Sequence, residues 1–518
     1  MPLPVERIVL GEYLPDLPAV SNPGLVSAKN SIPVTTGYSG IRSPSALSAF
    51  NALPLRPRGS VSLVDKSGNP YNFCGTETKL YRLSSETADV TRSVGGNYNA
   101  IDDKRWSFSV FGDIVVACNP NDDTQFYTVN SSSNFASLER NGRKAPRAAH
   151  SAVVGSFLML GNTFDTTNGT GENAIHWSAL GDPFNWPETG TSAAVAVQSD
   201  RQVLEGSGGA VQAVVSGSEV AAIFQERAIW RADYRGGDVV FGLTKVDPLR
   251  GLLVPGLAVP FGRSVFYLSE EGFQLFDYTN SRPIGRGRVD KSFFQDLDQS
   301  KLELVSAVSD PDNQRIWVAY PGAGSTTSAN KVLIYDWGLD RWSHAEFDLS
   351  LICEVVPGAD SSLESTVTTE DPSSVDSAGA VSFDARVSGF GARKLGCFNS
   401  SNQICDFGGD FFDSVFETGK REFGSGVRST VLSARAIAET LNPTIQIASH
   451  PSSVETSNFK LPVSVNKDNL FSLRSSGMFH SLRLNMSGGF TNAIGIDVFF
   501  RRSGILSLIH ISEPTRPY

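Results

Sequence analysis

The sequence predicts an all-β protein: a six- or seven-bladed β-propeller with an extended N-terminal arm and a small C-terminal β-sheet region. Three observations predict it. First, a hairpin-like unit recurs at roughly 45–60 residue intervals, the period expected when one four-stranded sheet makes one blade. Each copy has an apolar run, a short turn and a second run with an aromatic anchor. The copies lie at 71–83, 106–129, 151–177, 210–234, 257–278 and 305–342, with a looser seventh between Leu351 and Phe416. Second, only 19% of residues are charged, while 40% are hydrophobic and there are 48 glycines. That balance suits many short strands and turns rather than disorder. Third, the runs are bounded by turn-forming residues such as Gly112-Asp113, Gly217-Ser218, Glu270-Glu271-Gly272 and Asp310-Pro311-Asp312-Asn313.

At 518 residues the chain exceeds one ordinary core, so a large repeat domain plus appended regions is expected. Residues 1–58 carry Leu14-Pro15, Leu17-Pro18, Asn22-Pro23-Gly24 and Gly37-Tyr38. Proline fixes φ and removes a donor, so this reads as an extended arm that must lie on a surface, its own or a neighbour's.

Residues 59–420 are assigned to the propeller. Ile114-Val115-Val116-Ala117, Phe157-Leu158-Met159-Leu160 and Val220-Ala221-Ala222-Ile223-Phe224 are unbroken apolar runs, as expected of strands covered on both faces. Ile316-Trp317-Val318-Ala319-Tyr320 and Lys331-Val332-Leu333-Ile334-Tyr335 are strand-like by their β-branched and aromatic content. Tyr81, Phe126, Trp177, Trp230, Phe276 and Tyr335 recur as anchors. Burying each would contribute at most about 4–6 kcal/mol, enough for packing between blades to hold a ring without disulfides. The Ser/Thr/Asp-rich stretch 358–382 reads as a solvated excursion from a late blade.

Strand patterns resume over 421–505, at Ser429 to Arg435, Thr444 to Ile447, Ser481 to Asn485 and Ile496 to Phe500. They fit either a small sandwich beside the ring or completion of its last blade. Residues 506–518 resemble the translation of a sequencing adapter, so the natural chain is expected to differ after about Ile505, and His510 carries no function.

The five cysteines, Cys74, Cys118, Cys353, Cys397 and Cys405, form no C-x-x-C pair and are expected to be buried thiols in a reducing compartment. The start lacks a basic region followed by a long apolar one, so no signal peptide is expected. Nor does any stretch reach the roughly 20 apolar residues of a membrane span. The glycosylation-type triplets at Asn130, Asn168, Asn399 and Asn485 are therefore read as chance. A net charge of −10 argues against a broad DNA-neutralising face.

No residue set points to chemistry, so no catalytic, cofactor-binding or metal-binding residue is assigned and no cofactor is expected. His150, His176, His344, His450 and His480 stand apart without zinc-ligand spacing. Asp310-Pro311-Asp312-Asn313-Gln314 begins like a calcium loop but lacks its glycine and terminal glutamate, so it reads as a hairpin turn. Gly285-Arg286-Gly287-Arg288 could touch phosphate, yet no P-loop lysine follows, and it reads as a surface turn. Neither a G-x-S-x-G elbow nor the Asp-box of sialidases occurs, and Asp113, Asp122, Asp123, Asp182 and Asp340 read as turn residues.

Several segments, taken in order, resemble the tail nozzle (packaged-DNA stabilisation, or tail hub) proteins of short-tailed bacteriophages. They are Tyr13-Leu14-Pro15-Asp16-Leu17, Asn22-Pro23-Gly24, Ala28 with Asn30, Pro33 and Gly37-Tyr38 in the arm. Phe111-Gly112-Asp113, Lys331-Val332-Leu333-Ile334-Tyr335-Asp336 and Arg341-Trp342-Ser343 follow. The run from Gly477 to Leu484 and that from Ala493 to Val498 close the series. The resemblance spans most of residues 10–503; the Ser-rich stretch departs from the family's pattern. It implies a non-enzymatic virion protein of the tail, assembled in the bacterial cytoplasm as a homo-oligomer, a hexameric ring. The implied partners are the head-to-tail adaptor, tail fibre, spike or needle proteins, and DNA passing without sequence-specific binding. The competing expectations are a propeller-fold carbohydrate-active hydrolase and a generic interaction scaffold.

Overall fold

A computed structural model of the chain describes residues 4–502 except 21, 49, 85, 218–219, 238, 358–392, 425 and 440–441. The excursion at 358–382, the tail 506–518 with His510, and Ser218 of the expected turn lie outside the described residues. The protein is all-β, and the described residues hold only two short α-helices, Ser192–Ala196 and Asp290–Asp296, and one 3-10 helix, Gln299–Leu304.

Six antiparallel meanders of four strands follow one another. They open with Gly59–Val64, Ser107–Phe111, Arg147–Val154, Val211–Ser216, Ala258–Phe261 and Ser306–Asp310. The sixth ends in Arg341–Val355, a strand of 15 residues that serves two meanders. Its first part pairs with Ala329–Asp336, and beyond a bulge near Leu349 it pairs with Lys394–Asn399. Lys394–Asn399 pairs with Ile404–Asp406, which pairs in turn with Ser45–Ala46. A seventh group of four is thereby completed by a strand from the arm.

Each group shares a core with the next, because its strands are apolar on both faces. Phe73 meets Tyr127 and Phe135 between the first and second groups, and Val116 meets Leu158 and Leu160 between the second and third. Trp177 and Phe157 meet Ile223 and Phe241 between the third and fourth. Trp317 and Ile334 meet Ile352 and Cys397 between the sixth and seventh. Val355 and Phe398 of the seventh meet Cys74, Tyr81 and Leu83 of the first. The opening strands of consecutive groups are in contact, and Arg341–Val355 contacts Gly59–Val64.

Four of the six anchors, Tyr81, Trp177, Phe276 and Tyr335, are buried. Phe126 and Trp230 are half-buried; their chain neighbours Tyr127 and Ile229 take the interior places instead. Strand alternation explains the difference, since moving one residue turns the side chain to the other face.

Apart from the small Glu139–Arg140 and Arg143–Lys144 hairpin, the remaining described strands make two further layers. One has the order Ser31–Val34, Gly37–Gly40, Ala493–Arg502, Ser429–Ala438, Phe471–Gly477, with Val5–Val9 also paired to Ala493–Arg502. The other runs Leu25–Lys29, Ser414–Thr418, Phe479–Met486, Thr444–His450, Val463–Ser464, and joins the long strand through the Lys29–His344 pair. Ile8, Tyr38, Val431, Ile445, Phe471, Leu484 and Val498 share their core. The arm therefore lies on its own chain. Two sequence boundaries move: Ser45–Ala46 belongs with the seventh meander, and Ser414–Thr418 pairs with the arm and the C-terminal strands.

Candidate functional site

Three places draw together residues far apart in sequence. The first is the joint of arm, long strand and C-terminal layers. Asn22 shapes the arm locally: its Nδ2 donates to the Leu14 carbonyl at 2.8 Å and its Oδ1 accepts from Gly24 N at 2.8 Å. A Cβ on Gly24 would lie 2.1 Å from the Glu12 carbonyl oxygen, so the close crossing needs glycine. Asp16 then accepts from the Lys291 and Ser292 amides at 3.0 and 2.8 Å, occupying free donors in the first turn of Asp290–Asp296. The Tyr13 ring stacks on His344 at 4.8 Å. Arg341, half-buried, donates to the carbonyls of Val34, Gly37, Leu10 and Gly11. One guanidinium thus holds two separate passes of the arm.

The second place lies where Arg58, Lys104-Arg105, Leu304-Val305 and Ser350-Leu351 of the first, second, sixth and seventh groups line a small cavity. It encloses about 10 Å³, room for about one water. Arg105 donates to the Leu302 and Val305 carbonyls at 2.8 and 2.7 Å, and Arg56 to the Glu303 carbonyl at 3.2 Å. Arg58 reaches the carbonyls of Asp102 and Lys104 and pairs with Glu77 at 3.4 Å. Burial, with Arg56 nearby, lowers the Arg105 pKa to about 10; burial, with Arg58 nearby, lowers that of Arg56. Burial first and Arg105 second hold His150 down to about 4, so its imidazole is neutral at neutral pH. The cluster fixes backbone carbonyls with positive charge. Among the described residues lining it, Glu303 is the single carboxylate, so it lacks the acid pair that glycoside hydrolysis uses.

A wider cleft of about 510 Å³ lies between the Asp310–Arg315 turn, Lys394, Asp406 to Phe411, and Ile32 to Arg42. Trp317, Phe407 and Phe411 give it aromatic walls, and Asp310 and Asp406 are its carboxylates. Asp310, raised by burial, accepts from Asn313 N and Nδ2, while Asp406 accepts from Gly408 N. Trp317 Nε1 is buried without a hydrogen-bond partner.

Asp310 to Gln314 forms the turn between Ser306–Asp310 and Arg315–Tyr320. In the Gly285 to Arg288 segment, Arg288 is engaged by Glu12 and Asp340, so it braces the arm. His480 is fully buried between Ser429 and Ser449, at 2.9 and 2.8 Å, with no carboxylate among its hydrogen-bond partners. No group of three or more His, Cys, Asp or Glu able to hold a metal occurs among the described residues. No described helix is long and apolar enough to cross a membrane. The Arg341 joint and the Arg105 cluster escape sequence reading because both act on backbone carbonyls, which leave no residue pattern.

A scan against protein-family models finds no match for the chain, and a search of curated proteins finds none either.

Proposed function

We propose that the chain is a structural virion protein, one protomer of the tail nozzle ring of a short-tailed bacteriophage. In this reading the seven consecutive meanders are the blades of one propeller. The order of contacts between their opening strands supports that, as does the arm strand Ser45–Ala46 completing the last group. A last blade that takes one strand from the arm preceding the first blade would hold a ring closed. Six such protomers would dock beneath the head-to-tail adaptor, carry fibre, spike or needle proteins, retain packaged DNA and pass it at ejection.

One observation carries the reading. The segments that resemble the nozzle family are scattered from Tyr13 to Val498, yet many of them meet at the joint around Arg341. Tyr13 stacks on His344, Arg341 holds the Gly37-Tyr38 pass, and Tyr38 pairs with Ala493. Short motifs matched by accident have no reason to converge in space. The net charge of −10 fits a conduit, because a lining of many Lys and Arg would hold phosphates through counterion release. Quantitative mass spectrometry of the purified particles that encode the chain tests this: six copies per particle are expected, and absence from the particle overturns it.

The 510 Å³ cleft favours a second reading, a carbohydrate-active site, since aromatic walls with two carboxylates suit a sugar ring. Reducing-sugar release from bacterial surface polysaccharide, lost in D310N and D406N, would establish it in place of the first.

A further inference from the structure

Four of the five cysteines, far apart in sequence, gather at the seventh meander. Cys353 and Cys74 face each other in the core shared with the first group. Cys397 and Cys405 lie in the core shared with the sixth. Cys397 and Cys405 are direct cross-strand partners. Opposite residues of an antiparallel pair hold their Cα atoms about 4.5–5.5 Å apart, within the span a disulfide bridges. Register excludes the nearest competitor: Cys353 pairs with Gly396 and Cys397 with Ile352, so Cys353 points to the other face of the sheet.

We propose that Cys397 and Cys405 are a redox site that closes to a reversible cross-strand disulfide. The inference does not rest on the virion reading. The two thiols contact each other, which lowers the pKa of Cys405 and raises that of Cys397. Cys405 is also the one that the edge strand of the arm covers, so lifting that strand bares it first and makes it the attacking sulfur. The oxidant is a small disulfide such as oxidised glutathione. The Cys405 thiolate attacks one of its sulfurs, the S–S bond breaks, and one glutathione leaves as a thiolate that takes up a proton. Cys397 loses its proton to solvent and attacks the Cys405 sulfur, expelling the second glutathione. Two protein thiols are oxidised and one glutathione disulfide is reduced to two thiols. Both cysteines are buried, so the exchange needs the pairing of Ala46 with Cys405 to open, as it does during folding. Once formed, the bond fastens the hairpin on which the arm strand closes.

Trypsin makes the test simple, because cleavage after Lys394 and Lys420 leaves both cysteines in one peptide. The full chain is refolded, and separately held native, in glutathione buffers of graded ratio, then alkylated and digested. After refolding under oxidising ratios and alkylation in denaturant, that peptide should escape alkylation and appear two hydrogen masses below its unmodified mass, while Cys74, Cys118 and Cys353 are alkylated. The change should reverse with dithiothreitol, persist in C353S and vanish in C397S. Five free thiols at every ratio in both arms, or a crosslink from either cysteine to Cys353 or Cys74, would overturn the proposal.

Discussion

The guanidinium of Arg341 lies 4.7 Å from the centre of the Tyr38 ring, while the Tyr38 hydroxyl donates to the Gly11 carbonyl at 2.8 Å. Arg341 also donates to Gly11, so one carbonyl is shared by the cation and the ring it covers. Tyr38 is fully buried, and burial pushes its hydroxyl pKa up to about 12, so it stays a donor throughout the useful pH range. This relationship ties the arm to the long strand that serves the sixth and seventh groups.

Replacing Arg341 by methionine keeps the stem and removes the fork. Four backbone carbonyls lose a charged donor, at a cost of about 2–4 kcal/mol. Lysine should restore little, because a point charge cannot serve both arm passes. In hydrogen exchange, amides of residues 10–40 should lose protection in R341M and R341K, while those of the third meander stay unchanged. Equal loss everywhere would mean that Arg341 supports the whole fold rather than the arm.

Asp290 is a buried carboxyl whose Oδ1 accepts from Phe273 N at 3.1 Å and whose Oδ2 has no partner. Gly272 and Gly285 close over it; a Cβ on Gly285 would lie 1.9 Å from its Oδ1. Burial, ahead of any other cause, raises its pKa to about 6. The folded value exceeds the unfolded one near 3.9, so folding favours the protonated form. Its stabilising effect is full below about pH 4 and is lost as pH rises through about 6. D290N should therefore raise stability by about 1–2 kcal/mol at pH 8, allowing for solvent screening, and by nothing at pH 4. Urea unfolding at the two pH values measures it, and an equal shift at both would assign the effect to packing.

Asp497 has the opposite sign. It is buried, accepts from Arg7 Nε at 2.8 Å and Arg435 at 3.0 Å, and those bonds, Arg7's first, lower its pKa. A depressed carboxylate contributes stability above its unfolded pKa, and that contribution disappears as pH falls through the folded value. Both arginines are substantially exposed, so the effect is modest and screened by salt. D497N should lower stability at pH 6 and flatten the loss below pH 4. An acid limb as steep as that of the unchanged protein would show that other carboxylates govern it.

How much of this was legible in the sequence depends on whether a feature leaves a pattern. Val220 to Phe224 reads as a strand covered on both faces, and it is one, buried from Ala221 to Gln225. Phe471–Gly477 alternates buried and exposed without a fault, yet its serines and arginine hide the alternation from an apolar count. Ser45–Ala46 has two residues, too few for any period. The Cys397–Cys405 pair is invisible because its spacing has meaning only once the hairpin register is fixed. The cationic cluster at Arg105 was missed for a similar reason: its arginines come from separate groups and their partners are carbonyls.

Ser45–Ala46 offers the sharpest test of how the seventh group is joined to the first. Ala46 pairs with Cys405 and Ser45 with Asp406, while Leu47 N donates to the Ile404 carbonyl at 3.0 Å. Amides of an antiparallel ladder alternate in direction, so with Leu47 N facing the seventh group Ser45 N faces it too, toward Asp406. Proline at 45 removes that donor and fixes φ, whereas glycine keeps the donor and loses only a hydroxymethyl group and some backbone order. If this strand latches the seventh group to the first, S45P should uncover the core around Phe50, Leu53, Phe398 and Ile404. Loosening of that core should reach Cys74 and Cys353, so their alkylation under native conditions should quicken markedly in S45P and slightly in S45G. Cys118, in the second group, serves as the internal reference. Parallel acceleration of Cys118 would mean general unfolding, and unchanged rates at Cys74 and Cys353 would mean that side-chain packing alone holds the first and last groups together.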